Sequence, residues 1–380
     1  MKLAVRIIQI FVVVLFIVSG LVKANDPIGL SYKMQEFFEL WNEGFTKGSF
    51  LWNTLQAFLS QSLALSIIMI TLEIVAGVAL LLAWKKKAVL WLLLVLIVFF
   101  TFLTGYAYLS GKFTNCGCFG ECLPITPLTS FLKDILLLVM IVFLLAGQRH
   151  IQPIVSNRMQ VALLSLSLIF SLALQWYVLN YLPLADCLPF KKGNNIAEQM
   201  KPPPGSRPDS VVIKYIYEKE GKQYEWTATE LPADFNTYKY VDRVDRVVRK
   251  GNADPPIKGF SLIGISGEDS TEAVLAMDRA VLVYAINFRD ESWIKNLAGL
   301  ISAAARQNTP VFVVSSNLKD GVSAFEKAGV RGAQFFNTDF TIVRTVARTT
   351  PTILFLNKGT ITKKFSKENI TDAEAALVSP

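Results

Sequence analysis

Apolar residues gather in five runs in the first half of the chain, at about 4–22, 62–84, 88–110, 130–147 and 160–182. Each is close to the roughly 20 residues a helix needs to cross a hydrocarbon core, so the pattern predicts a membrane bundle of about five helices. Residues 31–46 are too charged to span and read as an amphipathic helix lying on the outer membrane surface. Beyond residue 189 the runs shorten and alternate. Val211–Tyr217 and Gln223–Thr229 flank a Gly-containing turn and predict a β-hairpin. From about 258 the order becomes α/β: a buried strand at Val281–Ile286, a helix at 291–306, a strand at Val311–Ser315 and a helix at 319–328. Thr349–Gly359 then reads as a strand with a hairpin into Thr360–Phe365.

Composition agrees with this division. The 380 residues are 52% hydrophobic and 18% charged, against about 25% charged for an ordinary soluble domain. Residues 1–189 hold 12 Lys+Arg and eight Asp+Glu, and residues 190–380 hold 26 and 22, so the net +8 splits evenly while charge density differs more than twofold. The resulting organisation is a membrane domain over 1–189, a stiff Pro-rich linker over 190–209 centred on Lys201–Pro208, a small β-rich module over 210–257 and an α/β domain over 258–380.

Charge also sets an expected sidedness. Lys2, Arg6, Lys85, Lys86, Lys87, Arg149 and Arg158 occupy one set of inter-span segments without an acid, whereas Asp26, Glu36, Glu39, Glu43, Glu121 and Asp186 lie in the alternate set. The positive-inside rule then places the N-terminus in the cytoplasm and the C-terminal half outside. The start of the chain, with small residues around Ala24, also reads as a cleavable signal, which leaves the remaining spans oriented the same way. The basic run Arg243–Lys250 sits beside Asp242 and Asp245, a solvated face rather than a nucleic-acid stripe; nucleic acid is not expected as a partner, and the lipid bilayer is.

All four cysteines, Cys116, Cys118, Cys122 and Cys187, fall at the predicted outer membrane edge. That clustering points to thiol chemistry in an oxidising compartment. Two structural disulfides, a redox-active set and a four-thiolate metal or iron–sulfur site are the three arrangements compatible with it. A bridge across Cys116-Gly-Cys118 would close a very small ring and behave as an oxidant, with Cys122 and Cys187 as exchange partners. The spacing lacks the Cys-x2-Cys pair usual for metal, and no metal is expected. Glu73 sits at the midpoint of the second span, where a carboxylate is costly. It either handles a proton during thiol oxidation or makes a hydrogen bond to a neighbouring helix. His150, the one histidine, lies in an inner segment and cannot pair with the cysteines.

Three pieces in order, Phe16–Pro27, Leu72–Leu82 and Cys116-Gly-Cys-Phe-Gly120, resemble the DoxX-like membrane proteins and, within them, the methylamine-utilisation (MauE) group. The resemblance implies a bacterial inner-membrane protein in disulfide- or quinone-linked redox work. It also implies an extracytoplasmic protein thiol partner, Cys116 and Cys118 as the redox pair, and quinone as the candidate acceptor. The α/β segment, with Thr350-Pro351-Thr352 before a strand, resembles thioredoxin-like domains, which implies a cis Pro351. Where such a domain carries Cys-x-x-Cys, this chain has Phe288-Arg-Asp-Glu-Ser-Trp293. Without a thiolate there is no exchange chemistry, so the domain is expected to recruit or orient a partner, with Asp290 and Trp293 near the two cysteine positions. The reading from another class is a non-catalytic membrane scaffold with structural disulfides and a protein-binding outer domain.

Overall fold

The computed structural model describes residues 1–113, 120, 122, 125–249 and 251–378. Five helices in the N-terminal half are long and apolar enough to cross a membrane: α1 (Lys2–Ala24), α4 (Ser62–Leu81), α5 (Lys86–Ser110), α6 (Pro127–Ala146) and α7 (Asn157–Tyr181). Between α1 and α4 run α2 (Pro27–Asn42) and α3 (Phe50–Ser60). The latter was not expected: its 11 residues are too few to span a membrane and carry no charge. The apolar run at 62–84 stops being helical at Leu81 because Ala83 and Lys85 take positive φ, and Lys86 restarts the chain as α5.

Small residues decide how closely α1 and α4 approach. A Cβ on Gly20 would lie 2.6 Å from Ile74 Cγ1, and one on Gly77 would lie 2.8 Å from Ile17 Cγ1. Such close backbone approach is how helices associate where lipid supplies no hydrophobic drive. It brings the last turns of α1 against the middle of α4. Val12, Phe16, Leu80, Leu90, Ile97 and Ile141 fill the bundle interior.

The C-terminal part contains two sheets. The first has order β2-β1-β3, from β1 (Ser210–Lys219), β2 (Lys222–Thr227) and β3 (Lys239–Arg249). Tyr215 opposite Trp226, and Tyr217 opposite both Tyr224 and Tyr240, put the aromatic rings on one face. Residues 243–249 of the charge run, read from sequence as a solvated face, lie in strand β3, and Lys250 lies outside the described residues. The strand's side chains are indeed mostly exposed.

The second sheet has six strands in the order β4-β7-β6-β5-β8-β9. These are β4 (Ile263–Gly264), β5 (Ala280–Tyr284), β6 (Val311–Ser315), β7 (Ala333–Asn337), β8 (Thr352–Asn357) and β9 (Thr360–Phe365). β5, β6 and β7 are parallel, and the other pairings are antiparallel. Helices α10 (Ser292–Arg306), α11 (Leu318–Ala328) and α13 (Ile370–Val378) cover one face, and α9 (Thr271–Ala276) and α12 (Phe340–Val346) the other. A strand buried on both faces must be apolar throughout, which is why Ala280–Tyr284 and Val311–Val314 read as continuous apolar runs. The Thr350–Pro351 peptide is cis.

The expected linker over 190–209 needs correction in its first part. Phe190 and Ile196 are fully buried in the core beneath α12, and Ile196 begins a short helix, α8 (Ile196–Gln199). Gly193 and Ile196 donate backbone hydrogen bonds to Ile361 and Gly359 of the β8–β9 hairpin. Two isolated apolar residues among Lys, Gly and Asn carry no periodicity, so the sequence hid this segment's membership of the core.

Candidate functional site

The last turn of α1 is where the parts of the molecule meet. Lys23 Nζ lies 2.5 Å from Glu73 Oε1, Ser19 Oγ donates to Glu73 Oε2 at 3.3 Å, and the ammonium stands 4.5 Å above the Phe100 ring. Glu73 is 1% exposed and Lys23 4%. The expected hydrogen bond to a neighbouring helix is thus present, and it is part of an ion pair. Two charges so placed attract strongly, but their desolvation is costly enough that apolar residues of similar size would often be no less stable.

A second pair lies in the same place. Lys133 and Asp134, in the second turn of α6, are ion-paired, and Asp134, itself 1% exposed, accepts from Thr104 Oγ1 on α5 at 3.0 Å. Ser19, Lys23, Glu73, Lys133 and Asp134, with Phe16, Ile97, Phe100 and Leu137, line one small cavity of about 20 Å³. That is room for about one water molecule. The sequence reading missed Lys23, Lys133 and Asp134. In the sequence Lys23 directly follows the first apolar run and Lys133-Asp134 lies near the start of the fourth, and only packing of four helices shows that they line one cavity with Glu73.

A disulfide sits at the end of the bundle where α1 finishes and α6 begins. Cys122 and Cys187 form a disulfide, with Cα atoms 4.8 Å apart. The sequence predicts Cys122 and Cys187 as exchange partners of a Cys116–Cys118 bridge; the structure instead joins Cys122 and Cys187 to each other, and Cys116 and Cys118 lie outside the described residues. With two of four sulfurs joined to each other, the four-thiolate metal arrangement loses half its ligands. Both bridged residues are half-buried.

Asn25 fixes the segment leading to the bridge. Its Nδ2 donates to Ala185 O at 2.8 Å and its Oδ1 accepts from Ala185 N at 3.0 Å, two residues before Cys187. On the other strand of the bridge, Gly120 packs beside Val22 of α1. One helical turn thus touches the intramembrane ion pair through Lys23 and both cysteine segments through Val22 and Asn25.

Asp26, the next residue, connects to the C-terminal domain. It caps α2, accepting from Gly29 N at 3.0 Å, and both its oxygens accept from Arg348 Nε, at 2.8 and 2.9 Å. Arg344 donates to Gln35 Oε1 at 2.6 Å and stacks 3.7 Å over the Tyr32 ring. Burial raises the Tyr32 phenol above its ordinary value, opposed by the two arginines. Across the same seam Lys364 Nζ lies 2.7 Å from Asp186 Oδ2 and donates to Phe190 O at 3.3 Å. Desolvation lowers the Lys364 ammonium from its ordinary value despite the attraction of Asp186.

The positions where a thioredoxin-like domain would have cysteines hold no reactive arrangement. Asp290 accepts from Ser292 N and Oγ at 3.0 and 2.6 Å, which holds its carboxyl below the usual range. Trp293 is a core residue, buried against Phe288 and Phe325.

Two family models match separate parts of the chain. Residues 1–147 match the family model of the methylamine utilisation protein MauE, and residues 211–250 match a domain of unknown function, DUF8463. Over 140 residues the chain is 30% identical to Protein TlpB of Flavobacterium psychrophilum, a match covering 36% of this chain and 35% of that relative. The chain thus matches about a third of the length of its curated relative.

Proposed function

We propose that this is a bacterial inner-membrane thiol–disulfide protein, oriented with its N-terminus in the cytoplasm, whose Cys122–Cys187 bridge exchanges with a dithiol of an extracytoplasmic protein. The observation that carries this reading is the placement of the bridge. It joins two inter-span segments at one end of the bundle, half-exposed, beside the seam with the C-terminal domain. The likeness to MauE over the first 147 residues and the partial likeness to Protein TlpB support it.

The chemistry needs no group beyond the two proteins. A partner thiolate attacks one sulfur of the bridge, forming a mixed disulfide and releasing the other sulfur as a thiolate that takes up a proton. The second partner thiol, losing its own proton, attacks the mixed disulfide. The partner leaves oxidised, and Cys122 and Cys187 remain as thiols. Glu73 and its neighbours hold protonatable groups below the bridge and serve this step by holding a proton. Cys116 and Cys118 act as the second thiol pair.

Quinone remains the candidate acceptor that the resemblance implies, and no step is routed through it. We read the six-stranded domain as thioredoxin-like and without exchange activity of its own. Its three parallel strands, the antiparallel β8–β9 pair and the cis bond before β8 support that reading, and its role is to orient the partner.

The test uses the full chain carrying Cys116→Ser and Cys118→Ser, in nanodiscs, with a synthetic peptide bearing a reduced Cys-x-x-Cys pair. One peptide should be oxidised per bridge opened, and none when Cys122→Ser or Cys187→Ser is added. An intact bridge and unoxidised peptide would leave the scaffold with structural disulfides as the function.

A further inference from the structure

The segment between α7 and the C-terminal domain is a short strap with a hold at almost every residue. Asn25 clamps Ala185, Asp186 pairs with Lys364 of β9, Cys187 is bonded to Cys122, Leu188 is buried, and Phe190 is fully buried in the domain core. The covalent bond is the one link in this strap that chemistry can open. A second set of contacts, Asp26, Tyr32 and Gln35 of the α2 region against Arg344 and Arg348, holds the same domain from the α12 side.

We infer that the Cys122–Cys187 bridge is the mount of the C-terminal domain, so that opening the bridge releases the Arg344–Arg348 face from α2. The inference rests on the thiol reading only for its use; the mechanical coupling stands or falls on its own. Losing the bridge leaves the two Asn25–Ala185 hydrogen bonds holding the strap on the bundle and loosens the placement of Asp186 and Phe190, which hold Lys364 and the domain core. The ionic contacts to α2 must then hold the domain against the conformational freedom regained by the strap. In the bridged state Asp26, Tyr32 and Gln35 engage Arg344 and Arg348. In the opened state the same face is available to an acidic segment of a partner.

Coupling of this kind is reciprocal: if the bridge favours docking by some factor, docking favours the bridge by the same factor. Two independent measurements therefore have to agree. The first is hydrogen exchange of the full chain in nanodiscs, with Cys116→Ser and Cys118→Ser, before and after reduction. Amides of residues 26–35 and 340–349 are expected to exchange at least tenfold faster after reduction, while β5, β6 and β8 keep their protection. The Cys122→Ser/Cys187→Ser variant should show the fast pattern without any reductant. The second is the bridge's midpoint potential in Arg348→Ala and in the milder Gln35→Ala. Each should be easier to reduce than the parent, by about 30 mV per tenfold of coupling.

Unchanged exchange in residues 26–35 and 340–349 when the bridge is absent would overturn the inference, whatever the bridge does with dithiols. So would a midpoint unmoved by both seam variants. A bridge that never exchanges with the Cys-x-x-Cys peptide, yet whose removal undocks the domain, would overturn the proposed function and leave this inference standing.

Discussion

Arg348 and Asp26 stand 322 positions apart in the chain and form a pair in which Nε reaches both carboxylate oxygens, with side chains 5% and 12% exposed. A buried pair of this geometry is destabilising to break from one side, because the remaining charge is left unpaired. Arg348→Ala should cost about 3–5 kcal/mol of docking. Asp26→Ala should cost that and about 1 kcal/mol more for the lost cap on α2. Thermal unfolding of the single and double variants in nanodiscs forms the cycle, with the double variant losing less than the sum.

Lys364 gives the seam a pH dependence of definite sign. Its ammonium in the folded protein releases its proton below the ordinary 10.5, chiefly through desolvation. The unfolded chain therefore binds more protons in the window below 10.5, and stability from this group rises with pH through that window. Tyr32 acts oppositely: its phenol is held protonated above its ordinary 10.0, so its contribution is lost as pH rises past 10. Comparing the melting temperature of parent and Lys364→Met between neutral pH and pH 10 isolates the first effect; the parent should gain on the variant as pH increases.

Close approach of α1 and α4 depends on Gly20. With a Cβ only 2.6 Å from Ile74 Cγ1, Gly20→Leu must separate the helices and draw Lys23 away from Glu73. A loss of about 1–3 kcal/mol is expected from overpacking, read as a lowered melting temperature. Leucine at the lipid-facing Val14, which is half-exposed, should leave it unchanged.

If Glu73 holds a proton during exchange, Glu73→Gln should slow bridge opening by roughly a hundredfold in the protein that folds. The single variant leaves a buried lysine unpaired and is expected to lose folded protein, whereas the double variant Lys23→Met/Glu73→Gln removes both charges. The same slow exchange in the folded fraction of both variants, with the double variant folding normally, supports proton handling. Loss of folded protein in both, with normal exchange in the remainder, indicates a packing role.

What the sequence revealed and concealed follows from the kind of signal each residue leaves. Five spans were legible because an uninterrupted apolar run has few alternatives in a chain with these basic flanks. Glu73 was legible because a lone carboxylate amid Ile, Leu and Val stands out. Lys133 and Asp134 did not stand out, since charges near a helix end are ordinary, and their meaning lies in Thr104 and the cavity shared with Glu73. Strands β5, β6 and β8 show their burial in composition. β7 does not, because Ala333–Asn337 is only partly buried and has no alternation to detect. Phe190 was lost inside a linker-like stretch. The joining of Cys122 to Cys187 across 65 positions was one of several pairings the spacing allowed.

The most direct test of the thiol reading is the midpoint potential of the Cys122–Cys187 bridge. It is measured by thiol trapping across graded glutathione ratios in the full chain with Cys116→Ser and Cys118→Ser. A working exchange bridge should titrate above about −250 mV. A bridge that stays closed until below about −300 mV, where structural disulfides lie, would contradict a redox role for this site.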